Sequence, residues 1–141
     1  MQFFSDSLPE KVFAQCINSG NDKIKNDDNF IVIIKFRDGS VGSIIYTANG
    51  DKGLPKERLE VFGGNKVGVI NDFKTGELYN GNKLKTFKEE GKGHKEELSA
   101  FFSALSKGTE MPIPFESMYY TTKATFKILD SLSTGLPQTI E

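Results

Sequence analysis

The side chains best suited to binding chemistry stand in one glycine-rich segment. Asn49, Asp51 and Lys52 occur within Asn49-Gly50-Asp51-Lys52-Gly53, and a further charged run, KER, follows at positions 56–58. Amide, carboxylate and ammonium groups each form several hydrogen bonds, as polyol recognition requires, and a lysine also stabilises a developing oxyanion. Asn49, Asp51 and Lys52 are therefore candidate substrate-binding residues. A solvated loop would have the same composition, and that alternative stays open.

His94 is the only histidine, and it stands where a helical pattern begins. It is a fourth candidate for contact with a substrate or partner. The alternative is a polar residue near a helix N-terminus with no further role. One histidine and one cysteine do not make a zinc site, and no Gly-x-Ser-x-Gly sequence places a nucleophile. We predict no metal site and no catalytic residue in these 141 positions.

A glycine-rich stretch, GGNKVG at positions 63–68, is the nearest approach to a phosphate-binding loop. Such a loop must lead from a strand into a helix, so that helix amides face the phosphate. Here the flanking patterns are both strands, which predicts a turn. With no dinucleotide fingerprint elsewhere, we expect no cofactor site in this chain and no activity from the chain alone.

Bulk composition excludes several classes of protein. A length of 141 residues suits one domain, 1–141. The formal net charge of -1, from 18 basic and 19 acidic side chains, argues against non-specific nucleic-acid binding. Cys16 stands alone, so no internal disulfide forms and a cytoplasmic location is expected. No apolar run of about 18 residues is present, which predicts no membrane span.

The order of periodicities predicts an α+β fold. Strand patterns fill the first two-thirds of the chain, at 11–17, 30–36, 41–48, 58–62, 66–70, 77–79 and 83–87. Helical patterns follow near 94–107 and 114–133. We therefore expect an open, predominantly antiparallel sheet of six or seven strands with the two helices on one face.

The apolar residues predict which surfaces are covered. The stripes expected to be buried beneath the helices are Leu98, Phe101, Phe102, Leu105, Phe115, Met118, Tyr119, Thr122, Phe126 and Leu129. Strand 30–36 is apolar on both faces, and helices cover only one of them. The other face should be buried by a partner subunit, which predicts a homo-oligomer.

Several segments together resemble the C-terminal domain of the glucose–fructose oxidoreductase / inositol dehydrogenase (Gfo/Idh/MocA) family. FRDGSVGSIIYT at 36–47 is similar to a hairpin of that domain, and PKERLEVFG at 55–63 to a strand leading into a glycine turn. GHKEEL at 93–98 resembles the start of its penultimate helix. IPFE at 113–116 and TGLP at 134–137 resemble the two ends of its last helical segment. Order and spacing agree over roughly 10–141. The resemblance is greatest to members described as inositol 2-dehydrogenase-like or fused behind an alcohol-dehydrogenase-like domain.

This resemblance implies a parent protein that is an NAD- or NADP-dependent dehydrogenase of a sugar, polyol or related small molecule. In that family a separate N-terminal Rossmann domain binds the nucleotide and, with the segment after it, carries the catalytic lysine, aspartate and histidine. None of those motifs is in this sequence. The part present would form one side of the substrate pocket and the oligomer interface. A non-enzymatic interaction module that binds a protein through its sheet face is the alternative function.

Overall fold

The computed structural model describes residues 1–88 and 93–141. They contain three α-helices, a short 3-10 helix at Asn26–Asp28 and eight strands. In chain order these are α1 (Gln2–Ser5), β1 (Pro9–Cys16), β2 (Asn29–Phe36), β3 (Val41–Thr47), β4 (Arg58–Gly63), β5 (Lys66–Asn71), β6 (Thr75–Asn80), β7 (Lys83–Lys88), α2 (His94–Lys107), α3 (Phe115–Thr134) and β8 (Gln138–Thr139). The predicted α+β class and the antiparallel pairing are confirmed.

The grouping of the strands differs from the single sheet that the sequence predicts. The eight strands form two four-stranded sheets, ordered β3-β2-β1-β8 and β4-β5-β6-β7. The chain accordingly divides into two compact units, one of residues 1–50 and 113–141 and one of residues 51–112. The break falls in the glycine-rich segment, whose composition favours a loop. The two-residue strand β8 is too short to have a periodicity, which is why the sequence did not predict it.

In the first unit, α3 packs on one face of the sheet, against β1 and β8. The core between them is formed by alternate strand residues that point towards α3: Val12, Ala14, Val32, Ile34 and Phe36. Ala124 and Ile140 complete it. This alternation is the period of two that the sequence predicts for β1.

The predicted helix stripes are not the buried faces. Leu98, Phe101, Phe102 and Leu105 on α2, and Phe115, Met118, Tyr119, Thr122, Phe126 and Leu129 on α3, are all exposed. The buried residues of α3 are instead Ala124 and Ser131. Their small side chains let the helix backbone lie close to β1. Because α3 has apolar residues on more than one face, periodicity identified the helix but not the face that packs.

In the second unit, tight turns connect a simple meander. Gly64 and Asn65 join β4 to β5 with φ angles of 55° and 58°. Two consecutive positive φ values define the hairpin turn that favours glycine and asparagine. The glycine-rich stretch is therefore a turn between antiparallel strands, as the sequence predicts, and not a strand-to-helix loop.

Candidate functional site

Asn49 lies just beyond β3, where its backbone is fixed by a buried neighbour. The Asn49 amide donates to Oδ1 of Asn29 at 3.2 Å and to Oγ1 of Thr47 at 3.3 Å. The Thr47 hydroxyl itself donates to the same Asn29 oxygen at 2.7 Å. These hydrogen bonds hold the backbone in place for two residues beyond the end of β3. In the part of the chain that the structure describes, the Asn49 side-chain amide makes no hydrogen bond.

A shallow depression of about 530 Å³ lies beside Asn49 at this end of the first sheet. Phe13 of β1 and isoleucines of β2 and β3 line it, and Gln15, Thr47 and Asn49 supply polar groups. An apolar surface with a few hydrogen-bonding side chains is the composition expected of a small-molecule site. The depression is open to solvent on one side, so any ligand there would be only partly enclosed.

Asp51 and Lys52 belong to the second unit, because the division between units falls at Gly50. Oδ1 of Asp51 accepts a hydrogen bond from the Gly53 amide at 2.7 Å, an arrangement that stabilises the local turn. Lys52 is exposed. Both placements agree with the solvated-loop alternative.

His94 is the first residue of α2 and its side chain is exposed. Its Nδ1 lies 4.0 Å from Oε2 of Glu97, one helical turn further on. A pair this long and this exposed contributes little to stability. His94 lies in the second unit with Asp51 and Lys52, whereas Asn49 lies in the first. The hydrogen bonds and ion pairs of the described residues link no two of these four side chains.

One face of the first sheet is apolar and uncovered by α3. We call it the open face, defined by Phe13, Ile31, Ile33 and Ile45. The register places Phe13 opposite Ile33, and Ile31 opposite Ile45, so these side chains share one side of the sheet. Ile33 is 48% exposed and Ile45 is 75% exposed. The apolar second face that the sequence predicts for strand 30–36 is therefore present.

Asn29 is the residue of this region that sequence analysis did not single out. The strand pattern of the sequence begins at position 30, but Asn29 is the first residue of β2 and is 5% exposed. The sequence does contain a signal for this role. Asparagine side chains often form hydrogen bonds with nearby backbone groups, and Asn29 stands directly before an apolar strand. Which segments it joins is decided only by the tertiary fold.

Residues 1–88 and 93–141 contain neither a cluster of metal-ligating side chains nor a helix suited to a bilayer. Within those ranges, no three His, Cys, Asp or Glu side chains come together as metal ligands. No helix there has the length and apolar character needed to span a bilayer. The strands described are all paired antiparallel, so no parallel strand–loop–helix unit for a dinucleotide occurs among them.

Comparison with known proteins finds relatives by structure alone. No family model matches the sequence, and no curated protein matches it. Among solved structures, an NAD-binding oxidoreductase from Klebsiella pneumoniae has a TM-score of 0.80 at 15% identity, covering 99% of this chain and 47% of its own. An oxidoreductase from Agrobacterium radiobacter, solved with NAD+, L-tartaric acid and magnesium, has a TM-score of 0.79 at 14% identity, with 99% and 45% coverage.

A third structural neighbour is UDP-N-acetylglucosamine 3-dehydrogenase from Acidithiobacillus ferrooxidans. Its TM-score is 0.78 at 13% identity, and the match covers 93% of this chain and 42% of that one. These neighbours are Gfo/Idh/MocA-type oxidoreductases, so the resemblance drawn from the sequence is confirmed for the fold. The chain spans less than half the length of each of the three proteins.

Proposed function

We propose that residues 1–141 form the C-terminal, substrate-side domain of an NAD- or NADP-dependent dehydrogenase acting on a sugar, polyol or related small molecule. The observation that carries this proposal is the fold match, which extends over 99% of this chain but only 45–47% of two neighbours. One structural neighbour, levoglucosan dehydrogenase, has been solved in complex with NADH and L-sorbose, which supports a nucleotide and a sugar-like substrate. The remaining half of such a protein would be the Rossmann domain.

In this proposal the division of labour follows from the residues present. The separate Rossmann domain would hold the nicotinamide nucleotide, which supplies the hydride chemistry, and that domain with the segment after it would supply the proton-transfer groups. This chain would contribute hydrogen bonds to substrate hydroxyls, from Asn49 and, in the adjoining loop, from Asp51 and Lys52. His94 would be a further contact. By itself the chain would neither bind nor reduce the nucleotide, and its free Cys16 suits a reducing, cytoplasmic setting.

The open face supports a second part of the proposal, a homo-oligomer. Removing apolar surface from water stabilises an assembly by about 25 cal/mol for each Å² of apolar area buried. A two-fold pairing of open faces would remove their apolar side chains from water without an additional partner. It would also cover the depression, because the same four side chains line it, so pairing and ligand binding would use one surface of this sheet. The alternative, an interaction module that binds a different protein, uses the same face and has no observation specific to it.

The mass of the intact protein that carries this sequence tests the dehydrogenase proposal. Immunoprecipitation from source cells with an antibody to this domain, followed by mass spectrometry, should give a polypeptide more than twice 15.7 kDa, with a nucleotide-binding fingerprint before residue 1. An intact protein of 15.7 kDa would refute the parent dehydrogenase and favour the interaction module.

A further inference from the structure

A buried asparagine joins several segments at the end of the first sheet. Asn29 accepts hydrogen bonds through Oδ1 from the Thr47 hydroxyl and the Asn49 amide, and its Nδ2 donates to the Lys25 carbonyl at 2.9 Å. Its backbone carbonyl accepts from the amide of Ile17 at 3.0 Å. One residue thus links the end of β1, the loop before β2 and the segment after β3.

Packing alone does not account for an asparagine at this position. Burying an amide is unfavourable unless its donors and acceptors are satisfied, whereas an apolar side chain has no such requirement. The strand ends are also held without it, because the β2–β3 ladder pairs residue 29 with Thr47 and the Ala48 amide donates to the Asp28 carbonyl at 3.0 Å. The Asn29 side chain adds bonds to Thr47, to the Lys25 carbonyl and to the Asn49 amide, and of these only the last holds backbone beyond the end of β3.

The orientation of Asn49 makes this bond relevant to binding. Its backbone amide is committed to Asn29, while its side-chain amide has no hydrogen-bond partner among the described residues. Asn49 also borders the depression, as Gln15 does from β1. A fixed backbone beneath an uncommitted amide is preorganised, since little conformational freedom remains to be lost when a ligand hydroxyl binds.

We propose that Asn29 is a positioning residue that holds Asn49 ready to bind a substrate hydroxyl. This inference rests on the proposed function, in which Asn49 contacts a sugar or polyol. Asn29 itself would not touch the ligand. It would act through the two hydrogen bonds that its Oδ1 accepts.

The test combines amide exchange with a ligand titration, both by NMR on the full 141-residue chain. Asn29→Ala removes the bonds to Thr47, to Asn49 and to the Lys25 carbonyl. Thr47→Val removes the two bonds of the hydroxyl and keeps the bond that the Asn49 amide donates to Asn29. Asn26→Ala is the matched control, because Asn26 Oδ1 accepts from the Ser19 amide and hydroxyl in the neighbouring loop. D-glucose is the probe, followed through the side-chain amide of Asn49.

We expect exchange of the Asn49 amide to accelerate about five- to tenfold in Asn29→Ala, the ratio that corresponds to losing one hydrogen bond. Thr47→Val should give a smaller acceleration. It serves as the test variant if Asn29→Ala does not fold. The D-glucose concentration that half-saturates the Asn49 side-chain response should rise in both variants. It should rise more in the variant whose Asn49 amide exchanges faster. Neither quantity should change in Asn26→Ala.

The outcomes separate the inference from the function on which it rests. If Asn49 of the unmodified chain does not respond to D-glucose, the proposed substrate contact is wrong and the inference falls with it. If Asn49 responds but its midpoint is the same in Asn29→Ala and Thr47→Val, the inference alone is overturned. Unchanged exchange in both variants would also overturn it, because Asn29 would then not fix Asn49.

Discussion

Replacing Ser131 with alanine should strongly destabilise the first unit. Ser131 is 0% exposed, and its Oγ accepts a hydrogen bond from the Ala14 amide at 3.0 Å while donating to the Leu136 carbonyl at 2.8 Å. β8 pairs with β1 only at residues 11 and 12, so the Ala14 amide lies beyond the end of that short strand. The serine hydroxyl supplies the acceptor that β8 does not.

The loss of unfolding free energy in Ser131→Ala follows from the Ala14 amide and the Leu136 carbonyl, which lose their hydrogen-bond partner. Ser131→Ala removes one oxygen atom and creates almost no cavity, so the packing contribution is small. A buried amide without its acceptor costs about 1–3 kcal/mol, and the second hydrogen bond contributes about 0.5–1.5 kcal/mol net. The expected loss is therefore about 2–4 kcal/mol, a large share of the 5–15 kcal/mol that typically stabilises a domain.

Urea denaturation and amide exchange at Val32 in β2 measure this loss. The exchange measurement reports on the first unit, and the urea slope should stay constant if only stability changes. Ser133→Ala is the matched control, since Ser133 lies on the same helix and its hydroxyl donates to the Asp130 carbonyl at 3.2 Å while exposed. A loss below about 0.5 kcal/mol for Ser131→Ala would refute the assignment of the Ala14 hydrogen bond as a stabilising contact.

Three further predictions concern the open face, a surface turn and the nucleotide. Ile33→Lys should make the chain monomeric, as measured by light scattering at several concentrations. Phe62→Lys, an exposed control in the second unit, should leave association unchanged. Equal association of the two variants would contradict pairing through the open face. The Ser40 hydroxyl and amide donate to Asp38 at 2.6 and 3.0 Å and hold the pKa of that carboxyl below its usual value. Ionised Asp38 therefore favours the folded state above its unfolded pKa of about 3.9, and that contribution is lost as pH falls through the lower folded pKa. NMR titration of Ser40→Ala should show the pKa of Asp38 raised, and an unchanged value would mean these bonds do not form in solution. Calorimetry of the isolated chain with NADH and NADPH should detect no micromolar binding, and a measurable heat of that strength would show that the chain contains a nucleotide site.

The sequence by itself determined the local structure and its order. Alternation in 11–17 and 30–36 identified β1 and β2, and Gly64-Asn65 identified a hairpin turn, because period and turn chemistry depend on neighbouring residues. The helices near 94–107 and 114–133 were located within one or two residues of α2 and α3. The apolar second face of β2 was also readable, since Ile31 and Ile33 alternate with the buried Val32 and Ile34.

Only the tertiary structure decided which surfaces meet. α3 turns the buried Ala124 and Ser131 towards the first sheet and leaves Phe126 exposed. The half-buried Tyr120, Ile128 and Leu132 pack against the same core, so the packed face depends on the strand residues opposite it. The role of Asn29 was likewise undetermined by the sequence. The Thr47 hydroxyl and the Asn49 backbone amide, which donate to its side-chain oxygen, are 18 and 20 residues away. Burial and hydrogen-bond partners at such separations depend on the fold as a whole, whereas a sequence pattern records only the period of each element.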